Sequence, residues 1–93
     1  GHRNPVVAAR MQAEGVKRGY PDVGLDMARG MCHGLRIELK EPGRYPSPDQ
    51  RRWHAWLLQQ DYRVLVCYGW EEARDAICRY LCILDPLRGM MTA

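Results

Sequence analysis

The chain has 93 residues and a mass of 10.8 kDa, enough for one domain around one core. Its 46% hydrophobic and 27% charged residues fit a folded globular chain and argue against intrinsic disorder, and no apolar stretch approaches the roughly 18 residues of a membrane span. The net charge is +3 and mildly basic, while the first residues, with Arg3 and Arg10, lack the apolar run of a secretory signal.

In chain order, residues 5–18 (PVVAARMQAEGVKR) have helical composition and end at Gly19. Pro21 then forces an extended start. Residues 22–27 alternate, with Val23, Leu25 and Met27 on one face and Asp22, Gly24 and Asp26 on the other, the pattern of a half-buried strand. Residues 28–33 are short enough for a hairpin-like return. Residues 34–40 alternate again, with Leu35, Ile37 and Leu39 opposite Arg36, Glu38 and Lys40. After the Pro/Gly-rich turn EPGRYPSP, Ser47, Pro48 and Gln50 form a helix start of the capping-box type. That helix runs to about Gln60, with Trp53, Trp56 and Leu57 as its expected buried stripe.

Residues 62–68 (YRVLVCY) are apolar on both faces, which predicts an interior strand broken by Gly69. A last helix over about 71–84 buries Ala73, Ile77, Tyr80, Leu81 and Leu84, and residues 85–93 form a tail. The order helix, strand, strand, helix, strand, helix predicts an α/β fold, a small mixed sheet flanked by helices. Its first two strands pair antiparallel, and a crossover makes the next pairing parallel.

The charges on those strands carry the chemistry. Asp22 opens the first strand on its polar face, and Glu38 and Lys40 share a face of the second. Strand pairing brings Asp22 toward Glu38. Two carboxylates meeting there repel, and a divalent cation relieves the repulsion. Oxygen ligands favour Mg²⁺ or Mn²⁺ over zinc. Lys40 is then placed to orient a water or to stabilise charge on a pentacovalent phosphorus. The competing reading of Glu38 and Lys40 is an ion pair on a solvated strand.

The arrangement Pro21-Asp22, fifteen residues, then Glu38-Leu39-Lys40 resembles the PD-(D/E)xK nucleases. Residues 1–84 go further and resemble a VRR-NUC domain. The likeness is carried by the expected basic helix leading into Gly19-Tyr20-Pro21-Asp22 and by the strand Gly34-Leu35-Arg36-Ile37-Glu38-Leu39-Lys40. The helix start Ser47-Pro48-Asp49-Gln50 with Trp53, and the strand end around Cys67-Tyr68-Gly69-Trp70, extend it.

That resemblance implies a restriction-endonuclease-like fold and metal-dependent hydrolysis of DNA phosphodiesters. It implies Asp22 and Glu38 as metal ligands with the Leu39 carbonyl as a further one, Lys40 as the catalytic lysine, and Gln50 facing the site. Stand-alone members of bacteria and phages resemble Holliday-junction resolvases, so branched DNA and a homodimer are expected, in the cytoplasm. The family's upstream helix, with a further glutamate, is not among these residues, as expected of either a fragment or a naturally truncated module, and Glu14 is not expected to replace it. A catalytically impaired DNA-binding or assembly module on the same fold is therefore the alternative.

The basic excess lies in residues 1–52, with ten Lys/Arg against six Asp/Glu, and twelve of the fourteen basic residues are arginine. The guanidinium fork matches phosphate. Arg3, Arg10, Lys17, Arg18, Arg44, Arg51 and Arg52 are the candidate contacts to a DNA backbone, set against a solvated-surface reading. Cys32, Cys67, Cys78 and Cys82 show no zinc or disulfide framework and are expected reduced and mostly buried. His2, His33 and His54 read as isolated, and Trp53, Trp56 and Trp70 as core rather than base-stacking residues.

Overall fold

The computed structural model describes residues 9–11 and 18–83. The elements are β1 (Ala9–Met11), β2 (Val23–Leu25), β3 (Leu35–Leu39), α1 (Pro48–Gln59), β4 (Arg63–Cys67) and α2 (Trp70–Leu81). The strands form one mixed sheet in the order β1-β2-β3-β4. The first two pairings are antiparallel, and β3 pairs with β4 in parallel. This is the expected small α/β sheet, with α1 supplying the crossover.

The start of the chain departs from expectation. Ala9–Met11 is a strand that pairs with Val23–Leu25, where the composition predicts helix. Ala, Arg and Met all favour helix, but helix propensity is a weak preference that the hydrogen bonds offered by β2 override here. The rest of that expected helix, and the tail, lie outside the described residues.

The alternation read in β2 and β3 divides the sheet into two faces. Val23 and Leu25 lie opposite Ile37 and Leu35, and all four are buried. Together with Cys67 they form the main core beneath Ala73, Ala76, Ile77 and Tyr80 of α2. The 3–4 spacing on α2 brings one stripe onto the sheet. Tyr80 keeps its hydroxyl satisfied by donating to the Met27 carbonyl at 2.8 Å. Of the other residues expected to be buried here, Leu81 is half-buried and Leu84 lies outside the described residues.

The other face holds Arg36 and Glu38, which are also buried. It is covered by α1, whose Leu57 is buried outside the main core. The expected stripe on this helix is only partly right: Leu57 is buried, Trp53 is half-buried, and Trp56 is 50% exposed. At about 100° per residue, Gln50, Trp53 and His54 fall close to the direction of Leu57, whereas Trp56 lies a quarter-turn away. The inward stripe is thus partly polar, because it faces the charged side of β3.

β4 lies at the end of the strand order rather than in its interior. Its two apolar faces come from the layers above and below it, α1 and α2, not from strands on both sides. Of the cysteines, only Cys67 is buried; Cys32 is half-buried, and Cys78 and Cys82 are exposed, because they point away from the α2 stripe. All four are free thiols. Trp70, at the start of α2, is also exposed rather than core. Among the described residues no helix is long and apolar enough to cross a membrane.

Candidate active site

The pairing of β2 with β3 sets the site. Val23 lies opposite Ile37, so one antiparallel step further places Asp22 opposite Glu38 on the face under α1. Asp22 Oδ2 accepts the Leu39 amide at 2.8 Å, which pins its carboxylate to the end of β3. The buried carboxyl of Glu38 hydrogen-bonds Asp22. Burial, that hydrogen bond and the Asp22 charge together push Glu38 up from 4.5 to about 8, against the opposing pull of Lys40. At neutral pH the metal-free Glu38 carboxyl therefore keeps its proton.

The helix supplies the rest of the site. Ser47 caps α1 by accepting the Gln50 amide at 3.2 Å, and Gln50 Oε1 accepts the Ser47 amide at 2.8 Å. The same Gln50 side chain turns its Nε2 to donate to Glu38 Oε2 at 3.1 Å. The cap and the site contact coexist, because the amide offers its oxygen to the backbone and its nitrogen to the carboxyl.

His54, one turn further along α1, places Nε2 3.2 Å from Glu38 Oε1. Burial, then the charge of Lys40, lowers the His54 pKa, so the ring is held neutral at pH 7. His54 is therefore not isolated, as the sequence reading has it. The signal that finds it is its i, i+4 spacing from Gln50 on a helix whose capping box already fixes which way Gln50 faces.

The structure thus brings together Asp22, Glu38 and Gln50 by direct contact. Lys40 acts electrostatically on both Glu38 and His54. Its own amide donates to the Cys67 carbonyl at 2.9 Å, which extends the β3–β4 ladder and holds the lysine at the rim of the sheet.

The site-face neighbour of Glu38 on β3 is Arg36. Its guanidinium donates to Tyr20 Oη at 3.1 Å, pairs with Asp26 at 3.0 Å and stacks 4.6 Å from the Tyr62 ring centre. Burial works against its charge, but Tyr20 and Asp26 outweigh burial and hold it firmly protonated.

The basic residues scatter. Arg18 pairs with Asp49 at 3.4 Å, and Arg52 also bonds Asp49. Arg44 and Arg51 are exposed. Arg10 is placed by its backbone alone, opposite Gly24, and Arg3 and Lys17 lie outside the described residues.

The donor set fits a hard divalent cation. The two acids crowd each other enough to keep a proton on Glu38, and a cation in that proton's place removes the cost of ionising both. Asp22 and Glu38 would hold the ion, with the Leu39 carbonyl beside them. Among the described residues no cluster of three or more His, Cys, Asp or Glu side chains is arranged as a metal site.

No protein-family sequence model matches the chain, and no curated protein does. Among solved structures it is similar to a VRR_NUC domain protein, at 33% identity and a TM-score of 0.80, over 89% of this chain and 75% of that one. With a nuclease-type sheet whose β2 and β3 juxtapose the acids of PD and E-x-K, the chain belongs to the VRR-NUC family.

Proposed function

We propose that this nuclease-type domain is a Mg²⁺- or Mn²⁺-dependent DNA endonuclease. The observation that carries the reading is the β2–β3 register that sets Asp22 opposite the buried Glu38, with Asp22 Oδ2 held by the Leu39 amide and the Glu38 pKa raised to about 8 by burial and by Asp22. A buried acid pair with that property binds a proton or a metal, and a nuclease uses the metal. When bound, the ion supplies Lewis-acid polarisation of the phosphodiester and a lowered pKa for water.

The protein groups then have separate tasks. Asp22 and Glu38 would hold the ion, and the Leu39 amide keeps Asp22 aimed. Gln50 and His54 hold the two oxygens of Glu38 in place. Lys40 opposes the negative charge that builds on the phosphate oxygens as water attacks, and it orients that water. Arg18, Arg44 and Arg51 meet backbone phosphates without reading sequence, with Arg3, Arg10 and Lys17 as further contacts. The absence of a recognition helix among the described elements favours selection of DNA by structure, with branched DNA as substrate. A two-fold homodimer would supply two sites for paired cuts.

The experiment is cleavage of four-way junctions, flaps and plain duplex with Mg²⁺ or Mn²⁺, comparing wild type with Lys40→Ala and Asp22→Asn. Metal-dependent nicking of branched DNA, lost in both variants, supports the reading. Junction binding without any cleavage would favour a DNA-binding module instead.

A further inference from the structure

Beside the acidic site lies a cleft of about 520 Å³, within the usual range of small-molecule pockets. Its walls are Tyr20, Trp53, Trp56 and Tyr62, and Arg18 and Arg52 stand at its rim. The rings are arranged in steps. Trp53 meets Tyr20 edge-on at 5.0 Å and Trp56 edge-on at 5.8 Å, with planes at 76° and 89°. Trp56, at 50% exposure, presents part of its ring to solvent.

The cleft is rigidly built. Gly19, at φ +82°, lets the chain press against the start of α1: a Cβ there would stand 2.7 Å from the Asp49 backbone. Trp53 Nε1 donates to the Arg18 carbonyl at 3.0 Å, which ties the same segment to the helix. Arg36 holds two walls at once, through the Tyr20 hydroxyl and the Tyr62 ring.

The cleft and the acidic site share α1 and the segment leading into β2. Tyr20 precedes Asp22 by two residues, Arg36 precedes Glu38 by two on the same strand face, and Trp53 adjoins His54. Two residues of strand span about 7 Å. The cleft therefore opens next to the acids.

We propose that this cleft takes an unpaired base of the DNA strand that enters the site, stacked on Trp56. An aromatic face binds any base, and arginines at the rim meet the flanking phosphates, the combination by which single-stranded nucleic acid is held without sequence preference. Asp49 pairs with both Arg18 and Arg52, which leaves one positive charge in excess at the rim. A base within a duplex is sandwiched by its neighbours and cannot reach the Trp56 face. The inference rests on the nuclease reading for its substrate and refines it: the DNA is unpaired at the cut.

The test uses the whole chain in EDTA, where no cleavage intervenes. Fluorescence anisotropy measures binding to a blunt duplex and to the same duplex carrying an unpaired thymidine arm. Wild type should prefer the armed DNA. Trp56→Ala should lose roughly tenfold in affinity for the armed DNA, with a change of less than about twofold on the blunt duplex, and Trp56→Phe should restore most of the loss. Tryptophan emission of wild type should also be quenched by oligothymidylate. Equal binding of armed DNA by wild type and Trp56→Ala, or a parallel loss on both DNAs, overturns the proposal while leaving cleavage intact. Arm binding that depends on Trp56, in a chain that cuts nothing with Mg²⁺ or Mn²⁺, supports stacking and removes the nuclease reading instead.

Discussion

His54 Nε2 sits 3.2 Å from Glu38 Oε1, so a neutral imidazole on α1 holds one oxygen of a buried acid on β3 while Gln50 holds the other. The acid is thereby fixed from above by the helix and from the side by Asp22 and the end of the sheet. His54→Gln should keep a donor near Glu38 and retain much of the cleavage rate. His54→Ala should lower kcat by about tenfold or more, at little cost to the fold. Single-turnover cleavage beside a thermal melt separates the two effects, and equal rates in all three proteins would make His54 a bystander.

Gln50 serves two masters, and substitutions can part them. Ser47→Ala removes the cap and should cost about 1 kcal/mol of stability with the site intact. Gln50→Ala should cost a similar amount and also slow cleavage, because Glu38 Oε2 loses its donor. Urea denaturation and cleavage rates on both variants check this. A Ser47→Ala enzyme as slow as Gln50→Ala would assign the whole effect to the helix start.

The pH dependence of metal-free stability follows from two opposing shifts. Glu38 titrates near 4.5 when unfolded and near 8 when folded, so between those values the folded state holds a proton that the unfolded state lacks. Stability from this group is present below pH 4.5 and lost as pH rises toward 8, with a slope of at most about 1.4 kcal/mol per pH unit. His54 is depressed below 6.5, so it is stabilising above 6.5 and loses that contribution as pH falls through its folded value. The two slopes oppose each other below pH 6.5, and above it Glu38 acts alone. Melts in EDTA should therefore fall from pH 6.5 to 8 in wild type and flatten in Glu38→Gln. A wild-type profile as flat as the variant's would contradict the buried, protonated acid.

Much of this site is legible in the sequence because it rests on strand alternation. The period of two placed Asp22, Glu38 and Lys40 on one face, and the capping box placed the start of α1. Ala9–Met11 was not legible: three residues are too few to show a period, and their composition favours helix over the strand that β2 templates. His54 and Trp56 were missed for one shared reason. A hydrophobic stripe on α1 orients the helix by Trp53, Trp56 and Leu57, whereas the charged face of β3 turns it toward Gln50 and His54, leaving Trp56 in solvent.

Cation binding should displace the proton that the acid pair holds. Calorimetry with Mn²⁺ in buffers of different ionisation enthalpy should report close to one proton released per ion at pH 7 and almost none at pH 9. Proton release that does not change between these pH values would mean that the ion binds elsewhere.

The most direct measurement is Mn²⁺ binding followed by electron paramagnetic resonance on wild type, Asp22→Asn and Glu38→Gln, with folding of each checked by circular dichroism. The acid pair predicts one site in wild type and a large loss of affinity in either folded variant. Undiminished Mn²⁺ binding by both folded variants would contradict it.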